Sequence, residues 1–235
     1  MSESTPMFTS PRPTAWVLFL LAFGTCFALG TWQIERLEWK RGLIAAIETA
    51  NAEAPLAKLP ESEADLKTLE FRKVALSGHW VEGAEFHLAP RYWRDQFGYA
   101  ILNPLKLTDG RIVLVNRGWV PAAQKAAEKR PETAVHGKAN LTGILRMGHE
   151  RSYFTPANQP EKNLWFGRDV ADMAAYAKLS PVIPAMVDRI GEQTALPIPS
   201  DGTIRVRNDH LSYILTWYGI ALGILVIFVM AHRRR

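Results

Sequence analysis

A histidine followed by aromatic residues at helical spacing is the part of the sequence best suited to chemistry. His210 precedes Tyr213, Ile214, Trp217 and Ala221 by three, four, seven and eleven residues, and on an α-helix these intervals place all five on one face. An imidazole nitrogen beside two aromatic rings suits a large, flat, apolar cofactor with a metal centre, because it combines a metal ligand with surfaces for stacking. The pattern predicts a haem-type site with His210 as the iron ligand.

Residues in two other places could complete such a site. Arg205 and Arg207 come just before the histidine, and Arg36 follows an apolar stretch near the start of the chain. Guanidinium groups bind carboxylates such as haem propionates. Trp32 and Gln33, at the end of the first apolar stretch, are expected to form a facing wall.

An ordinary membrane interface would produce a similar pattern. Tyr and Trp are enriched where helices enter the bilayer, including in proteins that bind no cofactor. Asn208 or Asp209 could serve only to cap the following helix. Spacing alone therefore leaves two interpretations open, a haem-type site and an aromatic belt with a helix cap.

Two stretches without Asp, Glu, Lys or Arg are long enough to cross a bilayer. They cover residues 13–34 and 211–231, and at about 1.5 Å per residue a helix of either stretch spans a hydrocarbon core of about 30 Å. A cleavable signal peptide is the alternative for the first stretch. The length of the apolar run and the single preceding basic residue, Arg12, argue against it.

Basic residues near the ends decide the predicted orientation. Residues 233–235 are all arginine, and clustered arginine favours the cytoplasm. Arg36, Lys40 and Arg41 favour the opposite orientation, but they open a segment much longer than the loops to which the charge rule applies. The predicted order is a cytoplasmic tail, a transmembrane helix, an extracytoplasmic domain, a second transmembrane helix and a cytoplasmic tail, at residues 1–14, 15–34, 35–210, 211–231 and 232–235. The domain would lie in the periplasm, or in the intermembrane space of a mitochondrion.

Short apolar runs separated by turn residues dominate the middle segment. A helix is expected to continue out of the first span, and Asp169 is expected to cap a second, short helix. Predicted strands lie at residues 71–80, 84–88, 99–107, 111–120, 138–147, 182–189 and 203–207. The predicted fold is a membrane-anchored α+β protein, with two transmembrane helices flanking an antiparallel β-rich domain that could form a small barrel.

Several other chemistries have little or no support in the sequence. The single cysteine, Cys26, lies in the first apolar stretch, which excludes covalent haem attachment and cysteine-based metal sites. A net charge of +5 that is not concentrated in one region gives no indication of nucleic-acid binding. His79 and His87 could face each other across a hairpin as a metal pair, although surface histidines on neighbouring strands more often bind nothing.

Four sequence blocks occur in the order and spacing of a known family. They are 29–33 (LGTWQ) with Arg36, Leu37, Trp39 and Lys40; 113–121 (VLVNRGWVP); 154–158 (FTPAN) with Asn163 and Trp165; and 208–213 (NDHLSY) with 216–218 (TWY). In these blocks and in its two-span layout, the whole chain resembles the Surfeit-locus family of cytochrome c oxidase assembly proteins.

The resemblance implies an assembly factor for an aa3-type oxidase in the inner (cell) membrane of a bacterium. Members of that family act while haem a is placed into the catalytic subunit, and their haem-linked histidine corresponds to His210. The implied partners are the catalytic subunit, the haem a synthesis machinery and the lipid bilayer. No bond is made or broken, so the protein is expected not to be an enzyme. The alternative is a cofactor-free membrane scaffold that stabilises the nascent oxidase subunit.

Overall fold

The chain folds into two compact units in the computed structural model, which describes residues 10–148, 153, 155–204, 206 and 208–233. The helix unit comprises residues up to 46 and from 205 onwards, and so contains most of the first apolar helix and all of the second. The β unit comprises residues 47–204. The α-helices within these described residues are α1 (Pro13–Ala52), α2 (Glu63–Thr68), α3 (Val170–Tyr176) and α4 (His210–His232).

Helices α1 and α4 are the two helices that are long and apolar enough to cross a membrane within the described residues. The expectation that the first helix continues beyond the uncharged stretch is confirmed, because α1 ends only at Ala52. Its sequence from residue 14 onwards contains no proline, and neither does α4, so nothing interrupts the backbone hydrogen bonds.

The two apolar helices pack through side chains that recur every three or four residues. On α1 the buried positions include Cys26, Gly30, Gln33 and Leu37, and on α4 they include Ile214 and Ala221. This alternation of three and four is the spacing with which helices pack at a small crossing angle. Gly30 allows a close approach of the two helices, because a Cβ atom there would lie 2.9 Å from the ring of Tyr218.

Six strands form the sheet of the β unit. They are β1 (Lys73–Trp80), β2 (Phe86–Trp93), β3 (Gln96–Leu107), β4 (Ile112–Pro121), β5 (Lys138–Met147) and β6 (Val182–Arg189). The strands follow the order β1-β5-β6-β4-β3-β2. The end of β3 also pairs with the end of β1, with Leu105 opposite Trp80, so five of these strands form a closed ring. The first part of β3 pairs with β2 instead.

The sheet is not wholly antiparallel, and the prediction is wrong for one pair of strands. Strands β4 and β6 run parallel, with Val115 opposite Val187, whereas the other pairings between the named strands are antiparallel. Strand direction cannot alternate all the way around a ring with an odd number of strands. A closed ring of five therefore requires at least one parallel pair.

Alternating apolar residues fill the ring. The inward side chains include Val113 and Val115 of β4 and Ala185 and Val187 of β6, all of which are fully buried. Because side chains along a strand alternate between its two faces, residues two positions apart share this interior. A second cluster, which includes Phe86, Leu102, Trp165 and Met173, packs α3 against the opposite face of the sheet.

Most predicted elements of the β unit are present, and one is not. The predicted strand at 182–189 is confirmed as β6, and Asp169 caps α3 by accepting a hydrogen bond from the backbone N–H of Asp172 at 3.1 Å. The prediction of a strand at 203–207 is wrong for its described residues, which are irregular. Gly202, with φ of +81°, bends the chain immediately before this segment.

A β-bulge interrupts β4 at Arg117. Ile101 of β3 lies opposite Gly118 and Leu102 lies opposite Asn116, so Arg117 is an extra residue between them. Gly118 has φ of +137°, and a Cβ atom there would lie 2.2 Å from the carbonyl oxygen of Ile198. The bulge therefore depends on glycine for both its backbone angle and its close contact.

We expect Gly118→Ala to destabilise the β unit by about 3 kcal/mol, because it adds backbone strain to a clash with a carbonyl oxygen. The measurement is urea unfolding of the full-length protein in detergent, monitored by near-ultraviolet circular dichroism. Gly167→Ala is the matched control, since a Cβ atom at Gly167 meets nothing within 4 Å. Equal stability of the two variants would contradict this account of the bulge.

Candidate functional site

His210 is the first residue of α4, and it contacts a glutamine of α1. Its ring nitrogen Nδ1 lies 2.6 Å from Oε1 of Gln33. The Gln33 side chain is only 8% exposed, so the contact is buried on the α1 side. Asp209 occupies the N-cap position of α4 but makes no side-chain capping hydrogen bond. The contact joins the first and fourth of the sequence blocks described above.

The glutamine determines which nitrogen of His210 carries the proton. An amide oxygen only accepts hydrogen bonds, so Nδ1 must donate to Oε1 of Gln33. In the neutral ring, the lone pair then lies on Nε2. Metal-binding histidines commonly donate their second ring N–H to an oxygen that fixes the orientation of the ring. Nε2 has no hydrogen-bond partner among the described residues, so in this tautomer no described residue engages its lone pair.

The residues of α4 that were predicted to share one stripe divide between two surfaces. Ile214 and Ala221 are buried, and Trp217 is half-buried. Tyr213 is 52% exposed. A position three residues further along a helix is displaced by about 60° to one side, which places Tyr213 at the edge of the stripe rather than on it.

The predicted facing wall on α1 also divides. Gln33 is buried, whereas Trp32 is 49% exposed. Arg36 is exposed, and its guanidinium lies 4.5 Å from the ring centre of Trp39 in a cation–π contact. Arg205 and Arg207 lie outside the described residues. The structure thus brings Gln33 to His210 and leaves Trp32, Arg36 and Tyr213 on exposed helix surfaces.

Sequence reasoning missed Tyr218 as a residue that joins the two apolar helices. Its hydroxyl lies 3.1 Å from Oγ1 of Thr31, and its ring packs edge-on against Phe27 at 5.4 Å between centroids. The signal was available, because Phe19, Phe23 and Phe27 recur at intervals of four residues and mark one face of α1.

A second buried polar cluster lies in the β unit around Glu85. Arg130 is 1% exposed, and its guanidinium donates to both carboxylate oxygens of Glu85 and to Oγ1 of Thr133 at 3.0 Å. Nε2 of His87 lies 2.8 Å from the same carboxylate. Because buried charges are costly unless paired, this cluster stabilises the fold only while all its members are present.

Burial and pairing act on the Glu85 carboxyl in opposite directions. Burial alone would raise the pKa of this carboxyl. The hydrogen bonds from His87 and Arg130, together with the positive charge of Arg130, outweigh burial and hold the pKa below its usual value. Glu85 is therefore an ionised partner for Arg130 at neutral pH.

His79 and His87 do not form the hairpin pair considered from the sequence. Strand β1, which contains His79, pairs with β3 and β5, and β2, which contains His87, pairs with β3. The two strands are separated by β3, and the His87 side chain is occupied by Glu85. The described residues contain no group of three or more His, Cys, Asp or Glu side chains arranged to hold a metal ion.

Asn163 gives the third sequence block a structural role. Its amide nitrogen donates to the carbonyl of Glu85 at 2.7 Å, and its amide oxygen accepts from the indole N–H of Trp165 at 3.0 Å and from the backbone N–H of His87 at 3.3 Å. The residue has a left-handed backbone, with φ of +47°, which asparagine tolerates better than most residues. Asn163 thus fixes the start of β2 to the segment that contains Trp165.

We expect Glu85→Gln to destabilise the β unit at neutral pH and to do so less as the pH falls. A carboxyl with a lowered pKa in the folded state stabilises that state above its unfolded pKa, here about 4.5, and the contribution is lost as the pH falls through the folded pKa. The measurement is the free energy of unfolding of both proteins between pH 7 and pH 3. Glu128→Gln, at an exposed position, is the control, and a difference that did not change with pH would contradict the assignment.

Comparison with known proteins identifies the family. A sequence model of the SURF1 family matches residues 20–222. The chain is 37% identical over 233 residues to a SURF1-like protein of Monosiga brevicollis, covering 93% of this chain and 87% of that protein. It is 35% identical over 237 residues to Surfeit locus protein 1 of Mus musculus, covering 94% of this chain and 76% of that protein. It is 36% identical over 224 residues to Surfeit locus protein 1 of Homo sapiens, covering 88% of this chain and 73% of that protein. The chain belongs to the SURF1 family.

Proposed function

We propose that the protein is an assembly factor for an aa3-type cytochrome c oxidase, which binds haem a and assists its insertion into the catalytic subunit. The observation that carries the proposal is the hydrogen bond from His210 to Gln33. It holds the imidazole in the tautomer that leaves Nε2 able to coordinate iron. Membership of the SURF1 family supports the same conclusion, because the resemblance implies a haem-linked histidine at this position.

The residues present fit a single iron ligand and an apolar binding surface. His210 would coordinate the iron through Nε2, with Gln33 fixing its ring. Trp217, Tyr213 and Trp32 would provide aromatic surface, and their partial exposure in the helix unit leaves that surface available. Arg36 and Arg207 would bind the propionates. One ligand from this chain would hold haem a less firmly than two, which suits a carrier that must release its cargo.

The proposed location follows from the two apolar helices. Both would cross the inner (cell) membrane of a bacterium, with the β unit in the periplasm and both termini in the cytoplasm. The partners would be the catalytic subunit of the oxidase, the haem a synthesis machinery and the lipid bilayer. The protein would bind and release its cargo without chemical change, so it would not be an enzyme.

We expect the protein purified from cells that also synthesise haem a to show a haem a absorption spectrum, and the His210→Ala variant to lose or shift it. Removing the imidazole removes the proposed iron ligand while leaving the rest of α4 intact. The measurement is the visible spectrum of both proteins in the oxidised and reduced states.

Colourless wild-type protein from cells that demonstrably contain haem a would overturn this function. It would favour the cofactor-free scaffold instead, in which the aromatic residues of α4 pack against a helix of the oxidase subunit. Retention of the full spectrum by His210→Ala would leave haem binding in place and reject His210 as the iron ligand.

We expect Gln33→Leu to lower haem a affinity by about 10- to 100-fold, because it removes the acceptor that orients His210. Gln33→Glu should retain binding, since it keeps an oxygen acceptor for Nδ1, and it should lower the reduction potential by making the imidazole more electron-rich. Haem titration and potentiometry measure the two effects. Thr31→Val is the matched control, because it removes a neighbouring interhelical contact that does not involve His210. Equal affinities of the leucine and valine variants would contradict the orienting role of Gln33.

A further inference from the structure

The two ends of the five-stranded ring differ in chemistry. At one end, the buried side chains of Leu59 and Leu66 pack into the same interior cluster as Val74 and Ile183, near the first residues of β1 and β6. The opposite end, where β1 and β6 finish, contains a cleft of about 280 Å³. Its lining includes Trp80, Arg117, His136, Asn140, Leu141 and Arg189. We call this cleft the barrel mouth.

Strand alternation directs two arginines into the barrel mouth. Val115 of β4 and Val187 of β6 point into the interior, and Arg117 and Arg189 follow them at an interval of two residues. Residues at that interval share a face of a strand. The bulge at Arg117 interrupts the regular hydrogen-bond ladder of β4. Bulges of this kind commonly redirect a side chain next to a functional site.

Arg117 is a buried cation whose hydrogen bonds go to neutral groups. The residue is 7% exposed, and its guanidinium donates to the side-chain oxygen of Asn103 at 3.2 Å and to the carbonyl of Thr133 at 2.6 Å. Burial lowers the pKa of this guanidinium to about 10, which leaves it charged at neutral pH. No carboxylate pairs with it within the described residues, and an uncompensated buried charge is unusual.

The surroundings of Arg117 carry more positive than negative charge. Arg130 and Arg189 both act on Arg117 repulsively, whereas Glu85 is the carboxylate that acts on it attractively. That carboxylate is already bonded to Arg130 and His87. Three guanidinium groups thus face one carboxylate, which leaves an excess of two positive charges that an anion could neutralise.

The charged groups of the cleft come from the inward faces of the strands. Asn140 borders the cleft, but it lies opposite Ser77 in the pairing of β1 with β5 and accepts from the hydroxyl of that exposed residue at 2.7 Å, so its side chain lies on the outer face of the sheet. Glu82 lies 3.3 Å from Nδ1 of His136 and does not line the cleft. Two guanidinium groups therefore enter the barrel mouth without a competing carboxylate in its lining.

We propose that the barrel mouth binds an oxyanion, a carboxylate or phosphate group of a small ligand, between Arg117 and Arg189. Planar guanidinium groups match the paired oxygens of both anions. Barrel mouths are common ligand sites, and the cleft has room for a group of a few non-hydrogen atoms. This site lies wholly within the β unit and does not depend on haem a binding by the helix unit.

The test is isothermal titration calorimetry of the full-length protein in zwitterionic detergent, at constant ionic strength, with inorganic phosphate and with succinate as separate probes. We expect saturable binding of at least one probe at one site per chain. Tighter binding of phosphate assigns the site to phosphate groups, and tighter binding of succinate assigns it to carboxylates.

We expect Arg189→Gln to weaken binding by about tenfold or more, because it removes one of the two charged donors. Arg94→Gln is the matched control. It removes the same charge from an exposed side chain of the β unit, whose guanidinium stacks on Trp93 at 4.4 Å, and it should change the affinity less than twofold. Arg189 is only half-buried, so this variant should fold, and its melting temperature checks that. Absence of saturable binding by the wild type, or an equal loss in both variants, would overturn the proposal.

Discussion

The pairing of the ends of β1 and β3 is the constraint on which the rest of the β unit depends. It converts an open sheet into a ring, and the ring requires a parallel pair because its strands are odd in number. Strand β6 pairs with β4 in parallel and with β5 antiparallel, and the chain makes a long connection, residues 148–181, between β5 and β6. That connection carries Asn163, Trp165 and α3, which cover the outer face of the sheet.

The helix unit depends on a different kind of contact. Its helices have apolar side chains on nearly every side, so lipid and a partner helix are similar environments for most of them. Directional contacts therefore fix their register: the close approach of Tyr218 to Gly30, and the hydrogen bond between His210 and Gln33. The same contact that fixes the register also orients the imidazole.

Local patterns in the sequence predicted the elements well and their partners poorly. The alternation of apolar residues located β6 and β4, and the uncharged stretches located α1 and α4, because these signals depend only on neighbouring residues. The bulge at Arg117 and the contact between Gln33 and His210 could not be predicted. They depend on which distant segments meet, and the latter pair is 177 positions apart. The helical stripe also included Tyr213, which lies at its exposed edge, because spacing does not reveal where the partner helix lies.

The separation of 177 positions between Gln33 and His210 has an energetic consequence for folding. Bringing the ends of an unstructured loop of this length together costs roughly 5 kcal/mol in chain entropy, more than one hydrogen bond and a few ring contacts readily offset. The β unit removes most of this cost, because its own fold joins its two ends, where the side chain of Asn51 donates to the carbonyl of Gly202 at 2.8 Å. A folded β unit therefore lowers the entropic cost of bringing Gln33 and His210 together, although the two residues lie far apart in sequence.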